Sequence, residues 1–197
     1  MLTFTSLRRL GLMALSVFAA NAWAHVDTDA IHADATFFSG VLHPLTGIDH
    51  LAAMVAVGIW SALALRQAWM APALFVTAMG GGIWLGSIGF DHMAIEPMIA
   101  TSVLVMGVLV AARQALSVRV ALVLVSVFGV CHGAAHGIAL QGAATVAPMA
   151  GMLLATMVLH ILGVVLGKRA FAQRVWLQLV SGSAFAALGV ALLSSFA

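Results

Sequence analysis

From residue 44 onward the chain is a succession of long apolar stretches broken by a few polar positions. Six of them, at roughly 44–65, 71–90, 95–112, 118–140, 146–166 and 175–196, approach the ~20 apolar residues that carry a helix across about 30 Å of hydrocarbon. The connections between them are short. The pattern predicts an all-α membrane protein, a compact up-down bundle of six transmembrane helices with no soluble domain, linker or low-complexity tract. A further apolar run opens the chain. Arg8 and Arg9 precede Leu10 to Ala20, and Ala22-Trp23-Ala24 follows as a small-x-small cleavage site. These features predict a cleaved signal peptide over 1–24 and a mature domain over 25–197; the alternative is an uncleaved first helix. Between them lies a polar segment carrying His25, Asp27, Asp29, His32 and Asp34. Cleavage after Ala24 would leave His25 with an amine and an imidazole able to chelate, or simply a solvated terminus.

Glycines recur at helical spacing within the apolar stretches. Gly129, Gly133 and Gly137 share one face of the fourth, Gly82 and Gly86 one face of the second, and Gly163 and Gly167 lie in the fifth. Small residues at this spacing let helix backbones approach closely in lipid. The two three-span halves have opposite orientation and each opens with a histidine-bearing helix, as an inverted repeat would, although their residues match poorly.

Composition agrees with the pattern. Of 197 residues, 63% are hydrophobic and 7% charged, against about 25% charged in soluble domains. The basic residues are Arg8, Arg9, Arg66, Arg113, Arg119, Lys168, Arg169 and Arg174. All fall on one side of an alternating topology, which the positive-inside rule makes cytoplasmic. The mature N-terminus and the C-terminus are then both periplasmic. Asp27, Asp29, Asp34, Asp91 and Glu96 fall on the outer side or at its edge, so the outer face would attract cations. The basic residues are scattered, which excludes a nucleic-acid surface. Cys131 is the single cysteine, so no intrachain disulfide forms. Tyrosine is absent, and Trp60, Trp69, Trp84 and Trp176 are the expected interfacial anchors.

Two short polar stretches interrupt this apolar background: His43-Pro44-Leu45-Thr46-Gly47-Ile48-Asp49-His50 and Cys131-His132-Gly133-Ala134-Ala135-His136-Gly137. Ionisable groups at membrane depth are costly and point to function. If Pro44 occupies the first turn of the first span, Asp49 and His50 lie roughly 8–9 Å inward at about 1.5 Å per residue. By the same rise, His136 and His132 lie about 6 and 12 Å below the outer end of the fourth span. The two stretches therefore share one layer. His132 and His136 are one turn apart on one face, and His43 and His50, seven residues apart, also share a face if a single helix runs through both. Asp49, about 100° around that helix from His50, could complete a coordination sphere or orient an imidazole from behind. The candidate metal ligands are His43, Asp49, His50, His132 and His136. Met54, one turn after His50, and Met152 and His160, which share a face of the fifth span, could extend a path inward, although methionines commonly pack membrane cores. Asp91, His92 and Glu96 read either as a solvated outer turn or as a vestibule that gathers cations. Histidines that merely hydrogen-bond between helices are the competing structural explanation. Several imidazoles with one carboxylate suit Ni, Cu, Zn or Fe and not Mg or Ca.

The sequence resembles the HupE/UreJ family of membrane proteins, which are associated with hydrogenase and urease and regarded as nickel or cobalt permeases. The family's His-x5-Asp-His motif stands intact as His43, Asp49 and His50 within HPLTGIDHLAAMVAVG. Its second motif, Phe-His-Gly-x-x-His-Gly-x-Glu, matches at His132, Gly133, His136 and Gly137 within CHGAAHGIA, with Cys131 for the Phe and Ala139 for the Glu. Glu96-Pro97-Met98-Ile99-Ala100 to Gly107 is similar to the family's third span. The resemblance implies a secondary or facilitative permease in a bacterial inner membrane, with Ni2+, or else Co2+ or Zn2+, as the bound or transported ion and no permanent cofactor. It implies a supply of nickel enzymes and leaves a metallochaperone contact or homo-oligomer open. The alternative from the residues is an intramembrane zinc hydrolase with Asp49 as base. A haem-binding bundle is disfavoured, because His132 and His136 are too close along one helix to ligate two stacked haems.

Overall fold

The computed structural model describes residues 36–113, 115–141 and 146–196, all helices and connections with no strand among them. The expected signal peptide and the segment bearing His25 and His32 lie outside the described residues. The helices are α1 (Phe37–Thr46), α2 (Ile48–Ala64), α3 (Met70–Ser87), α4 (Ile95–Ala111), α5 (Val118–Ala139), α6 (Val146–Leu166) and α7 (Val175–Leu193). A π-helical turn, Gly167–Phe171, extends α6, and a short 3-10 turn, Ser194–Phe196, ends α7. By length and composition α3, α5, α6 with its π turn, and α7 can each cross a membrane. The bent pair α1–α2 makes a fifth crossing if its halves act as one span, and α4 is a shorter apolar helix of 17 residues.

The first predicted span needs correction. No straight helix begins at Pro44. The chain is already helical from Phe37, started by a reciprocal capping box in which Thr36 Oγ1 accepts from the Ser39 amide and Ser39 Oγ accepts from the Thr36 amide. Pro44 therefore sits inside α1, where it lacks an N–H and crowds the preceding turn. Helix α1 ends at Thr46, whose hydroxyl donates to the His43 carbonyl at 2.9 Å. At Gly47 the backbone is extended, and α2 departs at 83° to α1. The other five predicted stretches each hold one helix.

The glycine faces meet as close helix pairs. A Cβ built on Gly133 of α5 would strike the Met79 carbonyl of α3 and lie 2.9 Å from the Gly82 Cα; one on Gly137 would lie 2.8 Å from the Gly86 Cα. Gly58 of α2 faces Gly163 of α6 in the same way, and Gly107 of α4 faces Gly182 of α7. Helix α1 packs on the start of α6, with Gly40 against Pro148. The resulting pairs are α3–α5, α2–α6 and α4–α7. Exchanging the halves (α2 with α5, α3 with α6, α4 with α7) leaves this set unchanged, the pairing an inverted repeat would have.

The core lies between these pairs and includes Met54, Phe75, Met79, Met106, Phe128 and Met152. Trp60, expected at an interface, belongs to this core and is 1% exposed, whereas Trp69, Trp84 and Trp176 are exposed. The outside carries Val123, Val127, Leu154, Val158, Leu162 and Val180, the apolar surface that lipid requires of a spanning bundle. Lys168 Nζ sits 6.0 Å over the Trp69 ring, so two of the connections with basic residues lie at one end of the molecule.

Because the Gly133 contact is backbone against backbone, Gly133→Val should prevent accumulation of folded protein. Gly81→Ala, whose Cβ would meet nothing within 4 Å, should be neutral or stabilise by up to about 1 kcal/mol through helix propensity. Thermal unfolding of both variants in detergent checks the contrast.

Candidate metal-binding site

The break at Gly47 builds the site. It turns the end of α1 against the start of α2, so that His43 and His50 approach from two helix ends, with ring centres 6.4 Å apart. The expectation of one straight helical face is thereby replaced. Helix α5 supplies the facing side. The His136 ring lies 4.8 Å from that of His43 and 4.6 Å from that of His50, and the His132 ring lies 4.9 Å from that of His50. Four imidazoles from three helices are thus linked in one cluster through the His50 and His136 rings. His132 and His136 are fully buried, and the Asp49 and His50 side chains are 13% and 14% exposed.

Asp49 serves His50 directly. Its Oδ1 accepts from His50 Nδ1 at 2.8 Å and from the His50 amide at 2.8 Å. The second bond satisfies an N–H in the first turn of α2 that Gly47, having no side chain, cannot cap. A Cβ at Gly47 would lie 2.9 Å from Asp49 Oδ1 and 3.2 Å from His50 Nδ1, so glycine is needed here for space; its φ of −82° is ordinary. Asp49 is thus hydrogen-bonded to His50 through both the ring and the backbone.

The hydrogen bonds also decide which nitrogens carry protons. A carboxylate only accepts, so His50 Nδ1 is the N–H and Nε2 holds the lone pair of the neutral ring. Ser102 of α4 donates its hydroxyl proton to the Ile99 carbonyl at 2.6 Å, so its oxygen accepts from His132 Nε2 at 2.9 Å. This leaves the His132 lone pair on Nδ1. His50 Nε2, His132 Nδ1 and His136 Nε2 are all buried without a hydrogen-bond partner. Buried polar atoms are nearly always paired, and an orphan needs an explanation. Ser102 was not singled out from the sequence; its signal was a hydroxyl in an otherwise apolar stretch.

Among the described residues no group of three His, Cys, Asp or Glu side chains is placed so that it could hold a metal ion. Imidazoles that share a first-row ion at about 2.0–2.1 Å have ring centres roughly 4.5–5 Å apart. Three of the ring pairs here fall within that spacing, so convergence requires reorientation of rings already in contact.

The remaining candidates divide. Glu96 stands in the first turn of α4, where an acid suits the helix N-terminus, and it is near enough to His50 to act on it electrostatically. Asp91 and His92 are exposed in the connection before α4. His92 Nδ1 accepts from the Ala94 amide at 3.1 Å, a local turn, and among the described residues neither side chain bonds to the cluster. His160 lies deeper, on α6, fully buried. Met54 and Met152 are core residues. Cys131 is partly exposed.

A bundle of apolar helices enclosing a histidine cluster, with one carboxylate bonded into it, defines a polytopic membrane protein with a candidate metal centre. Residues 13–192 match the family model described as HupE / UreJ protein, and the chain belongs to that family. It is 39% identical over 175 residues to Protein HupE of Rhizobium leguminosarum bv. viciae, an alignment covering 87% of this chain and 90% of that protein. No solved structure matches it.

The Ser102 bond has a measurable consequence. Ser102→Ala leaves His132 Nε2–H buried without an acceptor and should lower stability by about 1–3 kcal/mol. Denaturant unfolding in detergent, compared with the exposed control Ser195→Ala, measures it.

Proposed function

We propose that this protein passes a divalent late first-row metal ion, Ni2+ first and Co2+ second, across the bacterial inner membrane by secondary or facilitated transport, supplying nickel enzymes such as hydrogenase or urease. The observation that carries this reading is the set of three buried, unpartnered nitrogens on adjoining rings, His50 Nε2, His132 Nδ1 and His136 Nε2. The hydrogen bonds place the lone pairs of the neutral His50 and His132 rings on two of these nitrogens, and such lone pairs are donors for this kind of ion. Asp49 and Ser102 hold two of the rings from behind, the arrangement that orients metal-binding histidines. His43, the least enclosed ring, would receive the ion first, with Glu96 drawing it in. Family membership is consistent with this function, and nickel is the ion that the family resemblance implies.

On this reading the bent pair α1–α2 forms one span and α4 another, giving six after a cleaved signal peptide, with both mature termini periplasmic and the basic connections cytoplasmic. No glycine-rich phosphate-binding loop followed by Lys and Ser or Thr occurs in the sequence, so the chain itself carries no ATP-coupling motif of that type. The zinc-hydrolase alternative gains no support: Asp49, its candidate base, is engaged with His50.

Radioactive nickel uptake into cells tests the proposal. At matched protein level in the membrane, His50→Ala and Asp49→Ala should each reduce uptake roughly 10–100-fold, the range typical for loss of a ligand's orienting partner. Wild-type uptake in both variants would overturn it. Tight zinc that does not exchange from purified protein would favour the hydrolase.

A further inference from the structure

Beyond the four-histidine cluster, the core of the described residues contains one more imidazole, His160, and its hydrogen bonding is equally one-sided. His160 Nδ1 lies 2.7 Å from the Thr156 carbonyl. A carbonyl only accepts, so the proton is on Nδ1 and the lone pair is on Nε2. That nitrogen is buried with no partner, on a side chain with no exposure. A ring needed only as glue between helices would use both nitrogens. This one uses a single nitrogen, within its own helix.

Its surroundings connect it to the cluster. The ring of Phe75 packs 4.9 Å from the ring of His160 and 5.4 Å from that of His132. His132 and His160 are close enough to act on each other electrostatically. At about 1.5 Å per residue, His160 lies roughly 21 Å along α6 from Val146, whereas His132 is only about 12 Å from the outer end of α5. His160 is therefore the next imidazole toward the basic end. The fold holds it firmly. Its carbonyl is in backbone contact with Gly58 of α2, where the α2–α6 glycine pair closes. Thr156, one turn before it, donates to Met79 Sδ of α3 at 3.5 Å, tying α6 to α3 beside the ring.

We propose that His160 is a second, inner binding station for the same ion, taking it through Nε2 after it leaves His132 and passes Phe75. This inference rests on the transport reading above. A lone imidazole binds weakly and exchanges fast. Conduction demands that of an intermediate site, which must be favourable enough to enter and weak enough to leave.

The test uses the full chain in proteoliposomes and in detergent, with Ni2+ as the probe. His160→Gln keeps most of the volume, and its amide can still donate to the Thr156 carbonyl; His160→Ala removes the ring. Tight Ni2+ binding by equilibrium dialysis should stay within about two-fold of wild type in both, because the four-ring cluster is intact, while Ni2+ flux should fall roughly 10-fold or more. In wild-type protein, Co2+ added beyond the tight site should broaden the His160 ring signals, a readout that needs no variant to fold. Wild-type flux in folded His160→Gln, or His160 signals unmoved by excess Co2+, overturns the proposal. Loss of tight binding in step with flux also overturns it, since His160 would then belong to the first site. Failure of the transport reading looks different: wild-type protein would carry no Ni2+, and His50→Ala would change nothing.

Discussion

An imidazole buried among apolar helices has two nitrogens to satisfy, and much of this structure follows from satisfying one of them. His50 is served by Asp49, His132 by Ser102 and His160 by the Thr156 carbonyl. Each partner is an acceptor toward the ring, so each fixes a proton on the bonded nitrogen and leaves the lone pair on the other. The second nitrogen then has no protein partner in any of the three. A fold selected only for stability would pair these atoms or replace the rings, because an unmet polar group in the interior costs about 1–3 kcal/mol. The pattern is that of a set of rings held in readiness for something else.

Holding them requires helices closer together than side chains normally allow. Helix α5 can present His132 and His136 inward because its Gly133 and Gly137 lie directly against Met79, Gly82, Ile83 and Gly86 of α3. In a helix, residues 132 and 133 point about 100° apart, so the histidine face and the glycine face are neighbours. Alternating them along one helix packs α5 tightly on one side and leaves the other for chemistry. Helix α6 does the same with Gly163 against α2 and His160 facing Phe75.

Much of this was legible in the sequence. The apolar stretches located the helices from α3 onward, and helical spacing placed His132 and His136 on one face. The two polar stretches do meet, with His43 and His50 against His136 and His132, but the depth calculation that suggested it assumed a straight helix from Pro44 that the chain does not form. The geometry of the first stretch was not legible. Proline is normally tolerated in the first turn of a helix, so the reading started a helix at Pro44, whereas here Pro44 lies near the end of α1. That choice hid the bend at Gly47, and with it the bond between adjacent residues Asp49 and His50. Ser102 escaped notice for another reason. A lone serine in an apolar helix usually bonds its own backbone, as Ser126 and Ser181 do here, and only tertiary structure reveals that Ser102 also faces a ring.

The bend has an electrostatic consequence as well. It aims the start of α2 at the cluster, and a helix N-terminus carries roughly half a positive charge, unfavourable beside a cation. Asp49 sits at that N-terminus and offsets it, accepting the His50 amide and ring together. With its charge spent partly on the helix end, Asp49 would contribute less than a full negative charge to the ion of the proposed function. Glu96 acts on His50 from across the site, also from a helix first turn. Two carboxylates facing a divalent ion without these helix ends would make a deep electrostatic trap. Under the proposed function, a site tempered in this way would rely on imidazole lone pairs, the donors that suit an exchangeable late first-row ion.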